Sequence, residues 1–261
     1  MTEEISLSKY LAFCGVASRR HAVELIREGL VAVNGLVERN PAARVTPDAE
    51  IVCGGRKVLP PAHRHYIMLH KPRGYVCTAD DVHAAKKALD LIRLSDGARL
   101  FSAGRLDKDS EGLLLFSDDG DFVNRLTHPR NGVCKTYEVS MAHMLSPGDR
   151  KRMLTGIEDA GEVLRALSVE HLHGRKYALV LGEGKNREIR RMASALGNEA
   201  VRLKRVAVGA LKLGSLPCGV WRELSEEEKA SAFLPPQAVK DRDSGLQKSG
   251  ERAILADIRQ A

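Results

Sequence analysis

The sequence predicts an α+β protein whose larger part contains a mixed but largely antiparallel sheet. Strand-like and helix-like segments alternate without a regular strand–helix–strand repeat, which disfavours a purely parallel sheet. Tight-turn signals such as Asn34-Gly35 join neighbouring strands as hairpins. The chain has 261 residues, 43% of them hydrophobic, which is enough for a small domain followed by a medium-sized one.

The first predicted domain, residues 1–60, is a compact unit of two helices followed by short strands. Apolar residues every three or four positions predict a helix from Leu7 to Cys14. Ser18 can cap a second helix. The hairpin at Asn34-Gly35 follows, and residues 51–58 predict another tight hairpin.

A proline-containing segment at residues 59–64 is a linker by composition and marks the start of the second predicted domain, residues 61–234. The apolar patterning predicts strands at residues 66–70, 113–117, 136–140, 177–181 and 206–213, and helices at 121–126, 149–155 and 188–196. Residues 235–261 are polar with little apolar periodicity, so we expect a disordered tail.

Composition argues against several classes of protein. Five scattered cysteines without a Cys-x-x-Cys pair disfavour a zinc site and a disulfide framework. The absence of a long apolar run and of a signal-peptide pattern predicts a cytoplasmic protein with no membrane partner. His63 with His65, and His171 with His173, are spaced as ligand pairs, but no third ligand follows nearby. We therefore expect neither a metal nor a cofactor.

Positive charge is concentrated in one segment of a chain whose net charge is +7 and whose pI is near 9.2. Residues 185–212 contain eight Lys or Arg and two Glu, a net charge of +6. Such a segment can contact nucleic-acid phosphates, although an ordinary solvated helix face is the alternative. Its basic residues are Lys185, Arg187, Arg190, Arg191, Arg202, Lys204, Arg205 and Lys212.

The polar loop from Gly104 to Gly112 is the most informative stretch, because functional residues favour loops held by a rigid scaffold. Its acidic residues partly match a calcium-binding loop. However, Glu111 occupies the fifth position and Asp118 the twelfth, where a longer bidentate Glu is required, and no helix pair flanks the loop. A structural use of these residues as turns and caps is the other alternative.

Several stretches, in the same order, resemble the bacterial ribosomal RNA pseudouridine synthases of the RsuA-like family. Gly104-Arg105-Leu106-Asp107 followed by Asp-Ser-Glu-Gly-Leu-Leu-Leu resembles the family's catalytic motif, and Lys71-Pro72-Arg73-Gly74 its Lys-Pro-x-Gly. Residues 5–52 resemble the S4 RNA-binding module. Residues 124–129, 135–139 and 183–192 extend the resemblance, which runs to Leu224, although Lys185 and Glu188 depart from the family's common residues.

The resemblance implies a pseudouridine synthase fold and a cofactor-free isomerase that converts specific uridines in ribosomal RNA to pseudouridine. It makes Asp107 the carboxylate that acts as nucleophile or stabilises a sugar cation. Arg190 is expected to pair with Asp107 and keep it ionised. Tyr137 is expected to stack on the flipped base, and Arg105 to fill the gap that the base leaves.

The remaining basic residues are expected to contact RNA phosphates. They are Arg19, Arg20 and Arg27 in the first domain and Lys71, Lys185, Arg187, Arg191, Arg202 and Lys204 in the second. The expected partner is ribosomal RNA of either subunit or a ribosome-assembly intermediate, bound by a monomer. Simpler alternatives are a phosphate contact for Arg190, a core position for Tyr137, and an ion pair with Asp109 or Glu111 for Arg105.

Two other classes of function compete with the isomerase. A non-catalytic RNA-binding or ribosome-assembly protein on a degenerate fold is disfavoured because Asp107, Tyr137 and Arg190 are all present. A metal-dependent hydrolase using the acidic loop would lose activity with a chelator, whereas the isomerase would not.

Overall fold

The structure, a computed structural model, describes residues 4–46, 48–78 and 86–236. The predicted tail, from residue 237 onward, lies outside the described residues. The N-terminal elements are β1 (Ile5–Ser6), α1 (Leu7–Phe13), α2 (Arg19–Arg27), β2 (Val31–Val33), β3 (Leu36–Val37), β4 (Arg44–Val45), β5 (Ile51–Cys53) and β6 (Arg56–Lys57).

The remaining strands are β7 (Tyr66–Lys71), β8 (Phe101–Ala103), β9 (Glu111–Ser117), β10 (Lys135–Met141), β11 (Ile157–Asp159), β12 (Glu162–Leu164), β13 (Ser168–His173), β14 (Lys176–Leu181), β15 (Ala200–Val208), β16 (Leu211–Lys212) and β17 (Trp221–Glu223). The remaining helices are α3 (Gly120–Thr127), α4 (Pro147–Thr155), α5 (Glu188–Ala195) and α6 (Glu226–Ser231), with 3-10 turns at Ala88–Leu91 and Pro129–Asn131.

The N-terminal unit has a hydrophobic core of its own, formed by residues of α1 and α2 against a small antiparallel sheet. The Ser18 hydroxyl accepts a hydrogen bond from the backbone N–H of His21 at 3.2 Å, which confirms the predicted cap of α2. Asn34 and Gly35 have φ values of 50° and 82°, as the predicted hairpin turn requires.

A nine-stranded sheet forms the centre of the second unit, in the order β13-β14-β10-β15-β9-β7-β17, with β8 on β9 and β16 on β15. Every neighbouring pair is antiparallel except β15 with β9. The prediction of an α+β fold with a largely antiparallel mixed sheet is therefore confirmed.

Both faces of the central strands are buried. In β9, Leu114 and Phe116 belong to one hydrophobic cluster, whereas Leu113 and Leu115 belong to another on the opposite face. Successive side chains of a strand point to opposite faces. Because β9 is buried on both faces, it needs a continuous run of apolar residues and not an alternation of apolar and polar ones.

The structure also contains elements that the sequence patterning did not predict, including the β11–β12 hairpin, β13, β17 and α6. The strand predicted from residue 206 begins at Ala200. Arg202 and Lys204 therefore lie within a strand of the central sheet. No helix among the described residues is long and apolar enough to span a bilayer.

Contacts between the N-terminal unit and the rest of the chain include an ion pair and a cation–π contact. Lys9 pairs with Asp121 at 3.0 Å, and the Arg64 guanidinium lies 3.9 Å from the centre of the Phe13 ring. The boundary near residue 60 stays a prediction.

Candidate active site

A cavity of about 360 Å³ lies beside the loop that precedes β9. Its lining includes five residues selected from the sequence: Asp107, Tyr137, Arg105, Lys185 and Arg187. The volume is within the range of small-molecule and nucleotide sites. The fold thus brings the predicted catalytic carboxylate, aromatic and gap-filling residues to one place.

The sheet register explains why these residues meet. Tyr137 in β10 lies opposite Arg205 in β15, and Arg205 lies beside Gly112 in β9. Asp107 lies in the loop that ends at Gly112, and its side chain lines the same cavity. Residues far apart in the sequence thereby line a single cavity.

Gly112 permits the close approach of β9 and β15 at the cavity. A Cβ atom at this position would lie 2.2 Å from the carbonyl oxygen of Arg205, and its φ of 114° is one that other residues rarely adopt. The glycine that follows the polar loop in the sequence motif is therefore required by backbone packing.

Lys71 supports the loop that carries Asp107. Its Nζ donates hydrogen bonds to the backbone oxygens of Ser110 at 2.8 Å, Pro72 at 3.0 Å and Asp107 at 3.2 Å. Its side chain is completely buried, and burial lowers the pKa of the ammonium group. The prediction that Lys71 contacts RNA is wrong, because no phosphate can reach this nitrogen.

Other residues of the segment after β7 hold the same loop. The backbone N–H of Gly74 donates to the carbonyl of Lys108 at 2.7 Å. The Cys77 sulfur and the backbone of Leu106 exchange hydrogen bonds at 3.2 Å. The Lys-Pro-Arg-Gly stretch is therefore a support for the Asp107 loop.

Two buried polar atoms in the cavity lack hydrogen-bond partners among the described residues, Nη2 of Arg205 and Oγ of Ser110. Nε of Arg205 is held by the carbonyl of Leu113 at 2.7 Å, so the guanidinium is fixed in place. A buried donor without a partner costs about 1–3 kcal/mol. The two residues that carry these atoms line the cavity, which makes a ligand bound there a candidate partner for both atoms.

Two further ionisable groups line the cavity, Lys135 and Glu188. Burial, followed by the positive charge of Arg205, lowers the pKa of Lys135. Burial raises the pKa of Glu188, although its carboxylate accepts the backbone N–H of Lys185 at 3.1 Å. Burial therefore disfavours the charged form of both side chains.

Arg190 does not form the predicted ion pair with Asp107 in the described structure. Its Nη1 donates to the carbonyl of Ala200 at 2.7 Å and its Nη2 to the carbonyl of Asp109 at 3.3 Å. Arg190 therefore touches the backbone of the Asp107 loop, and it is not among the residues that line the cavity.

Arg191 and Arg202, which were predicted to contact RNA phosphates, form ion pairs with carboxylates of the protein. Arg191 pairs with Asp159 and Glu162 of the β11–β12 hairpin. Arg202 pairs with Glu111 at 2.6 Å. Arg191, held by two carboxylates, therefore links structural elements, and its predicted phosphate contact is corrected. The Arg202 side chain is 59% exposed, so its phosphate contact stays a prediction.

The other predicted RNA-contacting residues remain accessible. Arg105 and Arg187 are exposed at the cavity and form no ion pair within the described residues, so the alternative pairing of Arg105 is absent there. Lys185, also at the cavity, donates to the carbonyl of Val163 at 2.7 Å. Lys204 is half-buried, and Arg19, Arg20 and Arg27 are exposed on α2.

The sequence analysis did not select Arg205, Ser110, Lys135 or Glu188 as cavity residues. Arg205 carried a usable signal, because it alternates with Leu203 and Ala207 in a strand whose inward positions are otherwise apolar. A charged residue at such a position is rarely left without a function. The other three lie in stretches that carried the family resemblance, but the sequence analysis gave them no role in the site.

Comparisons with known proteins agree with this geometry. Residues 65–195 match the RNA pseudouridylate synthase family, and residues 6–51 match the S4 domain. A crystal structure of a pseudouridylate synthase superimposes with a TM-score of 0.64 at 31% identity, covering 87% of this chain and 99% of that one.

Relatives of similar length are found in several bacteria. An uncharacterised RNA pseudouridine synthase of Aquifex aeolicus is 39% identical, covering 85% of this chain and 93% of its own. Ribosomal large subunit pseudouridine synthase B of Bacillus subtilis is 37% identical with the same coverage. Ribosomal small subunit pseudouridine synthase A of Vibrio vulnificus is 33% identical, covering 87% and 99%.

The fold and the cavity define an RNA-modifying enzyme with an attached RNA-binding module. This chain belongs to the RNA pseudouridine synthase family, whose members isomerise uridine in RNA, and it carries an S4 domain.

Proposed function

We propose that this protein converts a specific uridine of ribosomal RNA to pseudouridine, with Asp107 as the catalytic carboxylate. The observation that carries the proposal is one cavity lined by Asp107, Tyr137 and a buried Arg205 with a free donor. Enzymes that modify a base extrude it from the helix into such a pocket.

The reaction is an isomerisation, so the uridine and its product contain the same atoms. It requires a carboxylate. The bond between the sugar C1′ and uracil N1 breaks, the base rotates, and a bond forms between C1′ and C5. The proton leaves C5, and N1 gains one. Asp107 can form a covalent bond during this sequence or stabilise the positive charge on the sugar. Its carboxylate accepts no hydrogen bond within the described residues, which leaves it available for this role.

The other cavity residues would hold the base while it is detached. Tyr137 offers an aromatic face for stacking on uracil. Nη2 of Arg205 and Oγ of Ser110 can donate hydrogen bonds to the two uracil carbonyl oxygens. A detached base that keeps these partners can turn without escaping into solvent.

Ribosomal RNA is the substrate class that the relatives support. The names of the Bacillus and Vibrio enzymes specify the large and small ribosomal subunits respectively. Exposed arginines on α2 suit phosphate contacts from the S4 domain. A monomer acting in the cytoplasm, where ribosomes are assembled, completes the proposal.

The test is tritium release from uridine labelled at C5 in ribosomal RNA. We expect wild-type protein to release tritium and Asp107→Asn to release none above background, because the amide cannot replace the carboxylate. Asp109→Asn is the matched control, since Asp109 is an exposed carboxylate of the same loop. Asp107→Asn activity within tenfold of wild type would exclude Asp107 as the catalytic group.

A further inference from the structure

His65 lies between two carboxylates at the start of β7. Its Nε2 is 2.8 Å from Oδ2 of Asp96, and its Nδ1 is 3.0 Å from Oε1 of Glu223. The ring of His63 packs edge-on against it, with 4.7 Å between centroids. His63, His65 and Glu223 each offer a ligand atom, and these atoms all lie within 4.8 Å of one another.

Backbone pairing fixes this arrangement. Glu223 ends β17, where it lies opposite Ile67 of β7, and the N–H of Leu224 donates to the carbonyl of Tyr66 at 2.8 Å. Glu223 is thereby placed beside His65 although 158 positions separate them in the sequence. This is the third ligand that the histidine spacing alone did not provide.

We propose that His63, His65 and Glu223 bind a divalent transition-metal ion, with zinc as the best match. Imidazole nitrogen and carboxylate oxygen are zinc ligands at about 2.0–2.2 Å, which in a tetrahedral site are roughly 3.4 Å apart. The Nδ1–Oε1 separation of 3.0 Å needs only a slight widening. His63 and Glu223 are exposed and can rotate into position, and water supplies the fourth ligand.

Asp96 has a separate part in this site. When the ion binds Nδ1 of His65, the proton on that nitrogen is released to solvent, and Nε2 keeps its proton and donates it to Asp96. A carboxylate on the second nitrogen of a metal-bound histidine fixes the ring and increases its basicity. Asp96 and Glu223 together also balance the two positive charges of the ion.

The same contacts have a simpler explanation, a protonated His65 that bridges two carboxylates without any ion. His63 distinguishes the two, because it makes no hydrogen bond within the described residues. Without an ion, His63 is dispensable, whereas in the metal site it is one of three ligands. None of the residues involved lines the cavity with Asp107, so zinc binding is independent of the proposed catalysis.

Zinc binding to the full-length protein tests the proposal. Protein stripped with a chelator is dialysed against zinc, and bound metal is measured by mass spectrometry and the affinity by calorimetry. The matched control is His173→Ala, which removes an exposed histidine from the other histidine pair. We expect one zinc per chain in wild type and control, and loss of that zinc in His63→Ala. Asp96→Asn should bind about 10–100-fold more weakly.

Thermal unfolding gives a second readout. Because His63 is exposed, His63→Ala should fold and unfold like wild type without zinc, whereas zinc should raise the Tm of wild type and His173→Ala only. The proposal is overturned if wild-type protein retains no zinc, or if His63→Ala binds zinc as tightly as wild type. In either case a protonated His65 accounts for the contacts.

Discussion

Basic residues packed against the Asp107 loop and β9 differ in burial and in partners from those on the exposed face of α2. Lys71 is 0% and Arg205 3% exposed, and both donate to backbone carbonyls. Arg19, Arg20 and Arg27 on α2 are exposed and form no ion pair within the described residues. The same kinds of side chain therefore shape the site in one region and are available to RNA in the other.

Among these basic residues, we expect the replacement of Lys71 to cause the largest loss of stability and catalytic rate. Lys71→Met removes a charged donor from three carbonyls, which should cost about 3 kcal/mol of stability. A displacement of Asp107 by roughly 1 Å should slow the chemical step about 100-fold. Single-turnover rates and thermal unfolding measure the two effects.

Lys108→Met is the control, because Lys108 is exposed on the same loop and contributes its backbone carbonyl. It should match wild type in stability and rate. Equal rates for Lys71→Met and Lys108→Met would show that the buried lysine does not hold the loop.

Replacement of Arg205 tests the cavity donor directly. Arg205→Lys keeps the positive charge but removes the guanidinium group. The guanidinium binds the Leu113 carbonyl through Nε and leaves Nη2 free to donate. We expect the single-turnover rate to fall about 10²–10³-fold while RNA affinity stays within about threefold. A loss of affinity with an unchanged rate at saturating protein would instead make Arg205 a phosphate contact.

The neighbours Arg190 and Arg191 provide a smaller, paired comparison within α5. Arg190 contacts the backbone of Asp109, whereas Arg191 is tied to the β11–β12 hairpin. Arg190→Ala should slow single-turnover catalysis about tenfold through a loosened loop, and Arg191→Ala should leave the rate unchanged. If Arg190→Ala reacts at the wild-type rate, Arg190 does not hold the Asp107 loop in its catalytic position.

These contrasts show where sequence patterning succeeded and where it did not. Local signals predicted the α2 cap at Ser18 and the turn at Asn34-Gly35, because both depend on residues close in the chain. Lys71 and Arg191 were misassigned because a residue's type does not reveal its burial or its distant partner. Arg205 entered the sequence analysis only through the net charge of its segment. Its inward position was not recognised, because the strand that carries it begins at Ala200, earlier than predicted.

The expected effects on α2 are the smallest and concern RNA binding alone. Arg19→Ala and Arg20→Ala should each reduce the slope of log affinity against log salt by about 1 without changing the single-turnover rate. Arg202→Ala is the comparison, because Arg202 is paired with Glu111 and should change the slope less. Equal slopes for all three variants would mean that α2 does not contact phosphates.

The central claim is that the cavity at Asp107 modifies ribosomal RNA. Its most direct test is to map pseudouridines in ribosomal RNA from cells that lack this protein and carry either the wild-type or the Asp107→Asn gene at equal expression. We predict that at least one pseudouridine is absent without the protein, returns with wild type and stays absent with Asp107→Asn. An unchanged pseudouridine map without the protein, or full restoration by Asp107→Asn, would contradict the account.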